Sequence, residues 1–326
     1  MENRPRIVAL DGQTMNPGDL SWGPLSGLGD LQAYPETKPD EVIPRLEGAV
    51  AALTNKVVLD DRHFSRLPDL RLVCLMATGY DVVDIPAADR RGIVVCNVRD
   101  YATHSVAQHV FALLLALTNR VSEHDQDVRR GEWERSRRWS LTTREIVALE
   151  GRVMGVVGLG RIGRQVALLA QAFGMEVQAY HRHPERDGLP GVHFVGLEEL
   201  LASSDVVSLH VPLTAETRHL INRERLAGMR RGSYLINTGR GGLVDEPALR
   251  DALEQGLVAG AGLDVLSVEP PAGGNPLIGA RNCLVTPHHA WATVTARQRL
   301  LQGCADNVAA FLNGTPANVV GRVGRP

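Results

Sequence analysis

Short runs of β-branched and aliphatic residues alternate with polar or Pro/Gly-rich turns through the first hundred residues, at 6–10, 49–53, 72–76 and 93–95. Runs this short, bounded by turn residues, predict strands of a small open α/β sheet. Residues 105–121 follow, apolar at Val106, Val110, Phe111, Leu113, Leu114 and Leu117. Apolar side chains over so much of the circumference predict a helix buried between two surfaces. After a polar stretch at 129–149, a second series begins, with predicted strands at 153–157, 176–180, 206–210, 233–237, 259–265 and 284–286. Helical stretches separate them. The one at 246–255 has Asp245 placed to cap it and Pro247 in its first turn. Strands alternating with helices predict a parallel, doubly wound sheet. The stretch 293–312 reads as a helix with no strand of its own to follow, so it is predicted to return to the first domain. The expected architecture is two doubly wound α/β domains, one discontinuous (1–100 with 289–326) and one continuous (101–288).

Length and composition agree with this division. A chain of 326 residues is too long for one ordinary core. With 44 % hydrophobic and 22 % charged residues, disorder is excluded as a global reading. The longest apolar run, 106–117, is interrupted by Gln108 and His109 and is shorter than the ~20 residues that cross a bilayer. The opening residues carry no apolar secretion segment, and Cys74, Cys96, Cys283 and Cys304 show no CxxC spacing. No disulfide framework, zinc site or membrane span is therefore expected, and a reducing cytoplasm is. A net charge of −2, with arginine pairs dispersed along the chain, argues against a nucleic-acid partner.

The strongest local signal is Gly158-Leu-Gly160-Arg-Ile-Gly163, directly after one predicted strand and opening a helix. In that context each glycine has a steric task. Gly158 makes the tight turn, Gly160 admits a pyrophosphate to the backbone, and Gly163 lets helix and strand pack closely. Arg161 and Ile162 begin the helix whose free N–H groups face the phosphates. A dinucleotide is the expected ligand. At the end of the next strand the chain reads Tyr180-His181-Arg182-His183-Pro184, without the acidic residue that accepts from the ribose hydroxyls of NAD. Arg182, assisted by His181 or His183, is suited to a 2′-phosphate, so NADPH is the favoured cofactor and NADH the alternative.

Three polar residues each follow a predicted strand: Arg240, Glu269 and His288. In an open α/β sheet ligands bind at the carboxyl edge, so topology directs all three to one crevice. Together they supply what reduction of a 2-oxo acid requires. A guanidinium forks onto the substrate carboxylate, an imidazolium donates a proton, and a carboxylate orients the ring.

These residues, with Ala77-Thr-Gly-Tyr-Asp-Val-Val-Asp84, Ser105-Val-Ala-Gln-His109, His210-Val-Pro-Leu-Thr214 and Thr286-Pro-His-His-Ala-Trp291, resemble the D-isomer-specific 2-hydroxyacid dehydrogenase family over nearly the whole chain. Gly131-Glu-Trp133 and the stretch after His288 look most like its glycerate dehydrogenase, or hydroxypyruvate reductase, branch. The resemblance implies a Rossmann dinucleotide-binding domain and a flavodoxin-like substrate domain. It gives Arg240, Glu269 and His288 the catalytic roles. Thr78 and Gly79 would hold the substrate carboxylate through backbone N–H groups, and Asp264 would bond the nicotinamide carboxamide. Pro212, Thr217 and Thr238 would line the cofactor. A homodimer is also implied, with the helix at 105–121 near the hinge and the subunit contact. The expected substrate is a small 2-oxo acid, hydroxypyruvate or glyoxylate. The alternatives are a larger oxo acid and a dinucleotide-sensing corepressor-like protein. The segment 134–143 departs from the family by lacking an aromatic cluster, with Trp139 as a partial replacement. His289 stands where an apolar residue is usual.

Overall fold

The computed structural model describes residues 4–321. The chain divides into two compact units, one formed by the first 102 residues together with those from 292 onward, the other by 103–291. The first contains a five-stranded sheet built from β1 (Arg6–Ala9), β2 (Asp30–Ala33), β3 (Ala51–Thr54), β4 (Leu72–Leu75) and β5 (Val94–Cys96). Its order is β2-β1-β3-β4-β5 and every pairing is parallel. This is the flavodoxin-like order. β3, β4 and β5 are buried throughout, as short aliphatic runs covered on both faces must be.

The second unit contains β6 (Val153–Val157), β7 (Glu176–Tyr180), β8 (Val192–Phe194), β9 (Val206–Leu209), β10 (Ser233–Asn237), β11 (Val258–Leu263) and β12 (Cys283–Val285). They pair in parallel in the order β12-β11-β10-β9-β6-β7-β8. This is the Rossmann order with a seventh strand added, and strand order reverses at the β6–β9 pair. The second unit carries the helices α1 (Thr103–Asn119), α2 (Arg161–Ala172) and α3 (Glu246–Glu254), and the first carries α4 (Val294–Leu312). α1 buries Val106, Val110, Phe111, Leu113, Leu114 and Leu117. All of that set except Val106 join one core cluster with Val166 and Ala170 of α2 and Ile236 of β10. α3 starts as its sequence predicts, with the Asp245 carboxylate accepting from the Ala248 N–H at 3.1 Å.

Three local expectations need correction. β2 and β8 do not stand out along the chain. Each is an edge strand, β2 largely exposed and β8 without a fully buried residue, so neither carries an aliphatic run. The helix expected at 105–121 stops at Asn119. Arg120 takes a left-handed conformation (φ 50°) and reaches Glu123 and Asn282 through its guanidinium. Val121, exposed rather than packed, then opens a separate short helix, Val121–Arg129. The polar stretch beyond it also holds the short helix Glu132–Ser136.

α4 belongs to the first unit and is tied to its opening residues by one side chain. Arg297, 7 % exposed, forks onto Asp19 at 2.7 and 2.6 Å and also donates to the Met15 and Ala292 carbonyls. The neighbouring guanidinium holds the Asp19 carboxyl below its ordinary range. Replacing Asp19 by Asn should leave the buried cation underpaired and lower the urea midpoint of unfolding. Urea unfolding of the parent and Asp19→Asn proteins measures this; coincident transitions would show that the fork does not hold α4.

Candidate active site

The β6–α2 turn shows why glycines stand where they do. Gly158 has φ 99°, and a Cβ there would lie 2.8 Å from the His210 carbonyl oxygen. A Cβ on Gly163 would lie 2.1 Å from the Gly158 carbonyl oxygen, so α2 can approach β6 only without one. A Cβ on Gly160, by contrast, would point into open space. The Arg164 N–H donates to the Gly160 carbonyl at 2.8 Å, starting the helix and leaving the N–H groups of the preceding residues outside the helical pattern. Arg161 and Ile162 form the first turn. This is a cradle an anionic ligand fits, at the point where strand order reverses.

His181 closes the turn from the side. Its Nδ1 accepts from the Leu159 N–H at 3.2 Å, and its Nε2 lies 2.8 Å from Asp187. Because Nδ1 is the acceptor, Nε2 carries the proton and donates to Asp187. Arg186 and His181 hold the Asp187 carboxyl well below the usual range. Arg182, next along the chain, is exposed and pairs with the exposed Glu216. Glu216 lies in the loop after β9. In that loop the Thr217 hydroxyl donates to the Pro212 carbonyl at 2.7 Å and accepts from the Thr214 N–H at 2.7 Å. Thr238, just past β10, has a buried hydroxyl with no hydrogen-bond partner among the described residues. Such a group is a natural anchor for a bound molecule.

The loops after β10, β11 and β12 place the polar trio. Asn237 ends β10 and folds its loop back, donating to the Arg240 carbonyl at 2.9 Å and accepting from the Gly239 N–H at 3.0 Å. Arg240 itself donates to the Gly239 carbonyl at 2.8 Å, and no carboxylate pairs with it among the described residues. Gly241 then packs on the backbone of Leu266 and Ser267; a Cβ there would lie 1.9 Å from the Leu266 carbonyl carbon. The β11 loop is thus seated directly against the Arg240 loop. Buried Glu246, at the start of α3, fixes it further by accepting from the Ser267 N–H at 2.7 Å and hydroxyl at 2.5 Å.

Within that loop, Oε1 of Glu269 accepts from the Leu266 N–H at 2.8 Å and Oε2 lies 2.6 Å from Nδ1 of His288. A carboxylate can only accept, so Nδ1 carries the proton and Nε2 is the ring nitrogen that Glu269 does not engage. His288 itself is strained, with φ 51°. Its N–H donates to the Asp264 carbonyl at 2.8 Å, and its own carbonyl accepts from the Trp291 indole at 2.9 Å. Glu269 and His288 are therefore brought into contact, with Arg240 at the end of the adjoining strand. Asp264 is fully enclosed. Its carboxylate accepts from the Thr286 hydroxyl at 2.6 Å and from the N–H groups of His289 and Ala290 at 3.0 and 2.8 Å.

Thr78 and Gly79 belong to the other unit, in the stretch following β4. There the Thr78 hydroxyl donates to the Val98 carbonyl at 2.8 Å, and Asn97 donates to the Thr78 carbonyl at 2.6 Å. Trp139 is 96 % exposed and so stands in for no packed aromatic cluster within the chain. Three residues that sequence reasoning left without a role hold the site together. Glu246 and Thr286 carried no local signal. His109 did, as the histidine that interrupts an apolar helix. A cavity of about 370 Å³ lined by Arg120, Tyr234 and Arg281 opens at the amino ends of β10 and β11, the edge away from the trio.

Comparison with known proteins decides the family. Residues 111–290 match the model described as "D-isomer specific 2-hydroxyacid dehydrogenase, NAD binding domain". The chain is 43 % identical to a hydroxypyruvate reductase of Blautia hydrogenotrophica, covering 97 % of this chain and all of that one. It is 45 % identical to a glycerate dehydrogenase of Methylorubrum extorquens, covering 97 % and 98 %.

The chain belongs to the D-isomer-specific 2-hydroxyacid dehydrogenase family.

It is accordingly an NAD(P)-dependent oxidoreductase, and its two parallel-sheet α/β domains are those of the family. Among solved structures, an acyclic imino acid reductase in complex with NADPH and D-Arg superposes with a TM-score of 0.84 at 30 % identity, covering 97 % of this chain and 99 % of that one. No helix among the described residues is long and apolar enough to cross a membrane.

His210, whose carbonyl abuts Gly158, has its Nε2 2.8 Å from the Ser208 hydroxyl, and burial pushes its imidazole down to about 4. Unfolding exposes the ring and returns it to about 6.5. The unfolded state therefore binds the extra proton between these values. The stability His210 contributes is present above about pH 6.5 and lost as pH falls toward 4, by at most about 1.4 kcal/mol per pH unit. Urea unfolding at pH 7, 5.5 and 4.5 should show that slope reduced in His210→Asn. Equal slopes in the two proteins would mean that the ring binds its proton equally well in the native and unfolded states.

Proposed function

We propose that this enzyme reduces a small 2-oxo acid, hydroxypyruvate or glyoxylate being favoured, to the D-2-hydroxy acid with NADPH. The observation that carries the reading is the Glu269–His288 pair at 2.6 Å, at the carboxyl edge of a sheet whose β6 opens into a glycine cradle. The 43–45 % identity to proteins named hydroxypyruvate reductase and glycerate dehydrogenase supports the substrate class.

In this reading the guanidinium of Arg240 forks onto the substrate carboxylate and polarises the adjacent carbonyl. The reduced nicotinamide, when bound, supplies the hydride to the carbonyl carbon. His288 gives its Nε2 proton to the carbonyl oxygen, so a C–H and an O–H bond form and the C=O double bond is lost. Glu269 keeps the ring oriented and stabilises its protonated form through Nδ1. The loop hydrogen bonds to Glu269 and His288 hold this geometry before substrate arrives, which removes that ordering cost from the reaction.

For the cofactor, Arg182 is the residue proposed to meet a 2′-phosphate. Its only partner among the described residues, Glu216, is exposed, and an exposed ion pair is readily exchanged for a phosphate. Further support comes from the NADPH complex of the imino acid reductase. For assembly, we infer a homodimer. Val121, Val128, Trp133, Trp139 and Ile146 are each exposed in the segment between α1 and β6, apolar side chains that a second copy would cover.

A panel of 2-oxo acids assayed with NADPH and NADH, with product chirality determined, tests the proposal directly. Turnover of hydroxypyruvate or glyoxylate to the D-product is expected. Binding of dinucleotide without turnover of any oxo acid refutes it. Arg240→Ala should lower kcat/KM at least a hundredfold, a loss of about 3 kcal/mol of transition-state stabilisation; unchanged efficiency removes Arg240 from the mechanism. Arg182→Ala should raise KM for NADPH about tenfold or more and leave that for NADH nearly unchanged. An NADH preference in the parent enzyme would refute the selectivity.

A further inference from the structure

His109 lies on α1, 177 residues before the residue it touches. Its Nε2 stands 2.9 Å from the Thr286 hydroxyl oxygen, and that hydroxyl stands 2.6 Å from Oδ1 of Asp264. Chemistry sets the proton directions. The Asp264 carboxylate can only accept, so the threonine gives it its hydrogen, and the threonine oxygen is left to accept from His109 Nε2–H. The sequence of donors is therefore His109 to Thr286 to Asp264. Burial holds the His109 imidazole below its ordinary range, and the relay asks of the ring only the hydrogen on Nε2.

The relay ends at Asp264, and Asp264 organises the loop that carries His288. Its carboxylate takes the N–H groups of His289 and Ala290, and its main-chain carbonyl takes the N–H of His288. Every residue from 288 to 290 thus hangs on Asp264. His288 is held there in a left-handed conformation that a residue with a side chain keeps only where its surroundings overdetermine it. The His109 and His289 rings meet edge to face at 5.0 Å, adding a second contact between α1 and the loop. His109, Asp264 and His289 bring donor atoms within 4.8 Å of one another, a spacing that admits a metal ion. The carboxylate oxygens already accept from the loop, so the cluster reads as a clamp instead.

We propose that His109 is a positioning residue. By donating to Thr286 it orients the Asp264 carboxylate, and through it the backbone that sets the reach of His288. Its kinetic consequence rests on the proposed oxo-acid reduction, but its structural consequence does not. Trp291 reports the loop independently, because its indole N–H bonds to the His288 carbonyl.

The test uses the full chain and three variants. His109→Leu removes the donor, His109→Gln keeps an N–H at similar reach, and Thr286→Val cuts the same relay at its middle without changing volume. The Trp291 indole N–H resonance, assigned with Trp291→Phe, is recorded without substrate. It should shift in His109→Leu and Thr286→Val and return close to the parental position in His109→Gln. In steady-state assays, kcat should fall tenfold or more in the first two with KM for the oxo acid within about threefold, and His109→Gln should recover most of it. A parental Trp291 resonance and kcat in His109→Leu, or equal damage in His109→Gln and His109→Leu, overturns the proposal. Should His109→Leu not fold, Thr286→Val decides by the same two readouts. A parent that turns over no oxo acid defeats the functional reading alone, and the resonance still judges the clamp.

Discussion

Parallel pairing is the constraint on which the site depends. When all seven strands of the second unit run the same way, every strand must deliver its following loop to one edge, and every return must be made by a helix or loop on the faces. The glycine cradle after β6, the His181–Arg182 pair after β7 and the Pro212–Thr217 loop after β9 are therefore neighbours by construction. Arg240, Glu269 and His288 likewise follow strands that end at that edge, and Glu269 and His288 touch. No one of these residues needs to be near another in sequence. Hydrogen-bond register does the gathering, and the side chains need only occupy the first few positions past each strand.

Gathering alone does not orient. The loops after β10, β11 and β12 are each folded by a buried or half-buried polar side chain that accepts backbone N–H groups: Asn237, Glu246 and Asp264. A buried carboxylate or amide oxygen left unsatisfied is costly, so each of these side chains is a demand on the loop beside it for donors in particular places. The loop conformation that meets the demand is the one that puts Glu269 against His288. The strain at His288 is tolerated because several such bonds would be lost together if it relaxed.

The cofactor edge obeys the opposite rule. Arg182 and Glu216 are both exposed, and an ion pair in water is worth little. In the proposed reading, residues that exchange partners when a ligand arrives sit where exchange is cheap, whereas residues that hold reacting groups sit where it is expensive. The same division explains His181, which is tied to the glycine turn and to Asp187 and so belongs to the scaffold more than to the selective contact.

Aliphatic runs, turn residues and capping chemistry are local, and what they determine could be read along the chain: the two doubly wound domains, the glycine turn, the Asp245 cap of α3, and the placement of Arg240, Glu269 and His288 past strand ends. Edge strands β2 and β8 escaped because a strand covered on fewer sides needs no aliphatic run. The break at Arg120 escaped because its left-handed turn is supported by Asn282, far along the chain. What only tertiary structure decided was the wiring: Glu246 to Ser267, Gly241 against Leu266, and His109 through Thr286 to Asp264. Periodicity records which face of a residue is buried, but a hydrogen bond spanning 177 residues depends on two elements meeting at a particular height and angle. That geometry exists only once the sheet has closed its register and the helices have packed onto it.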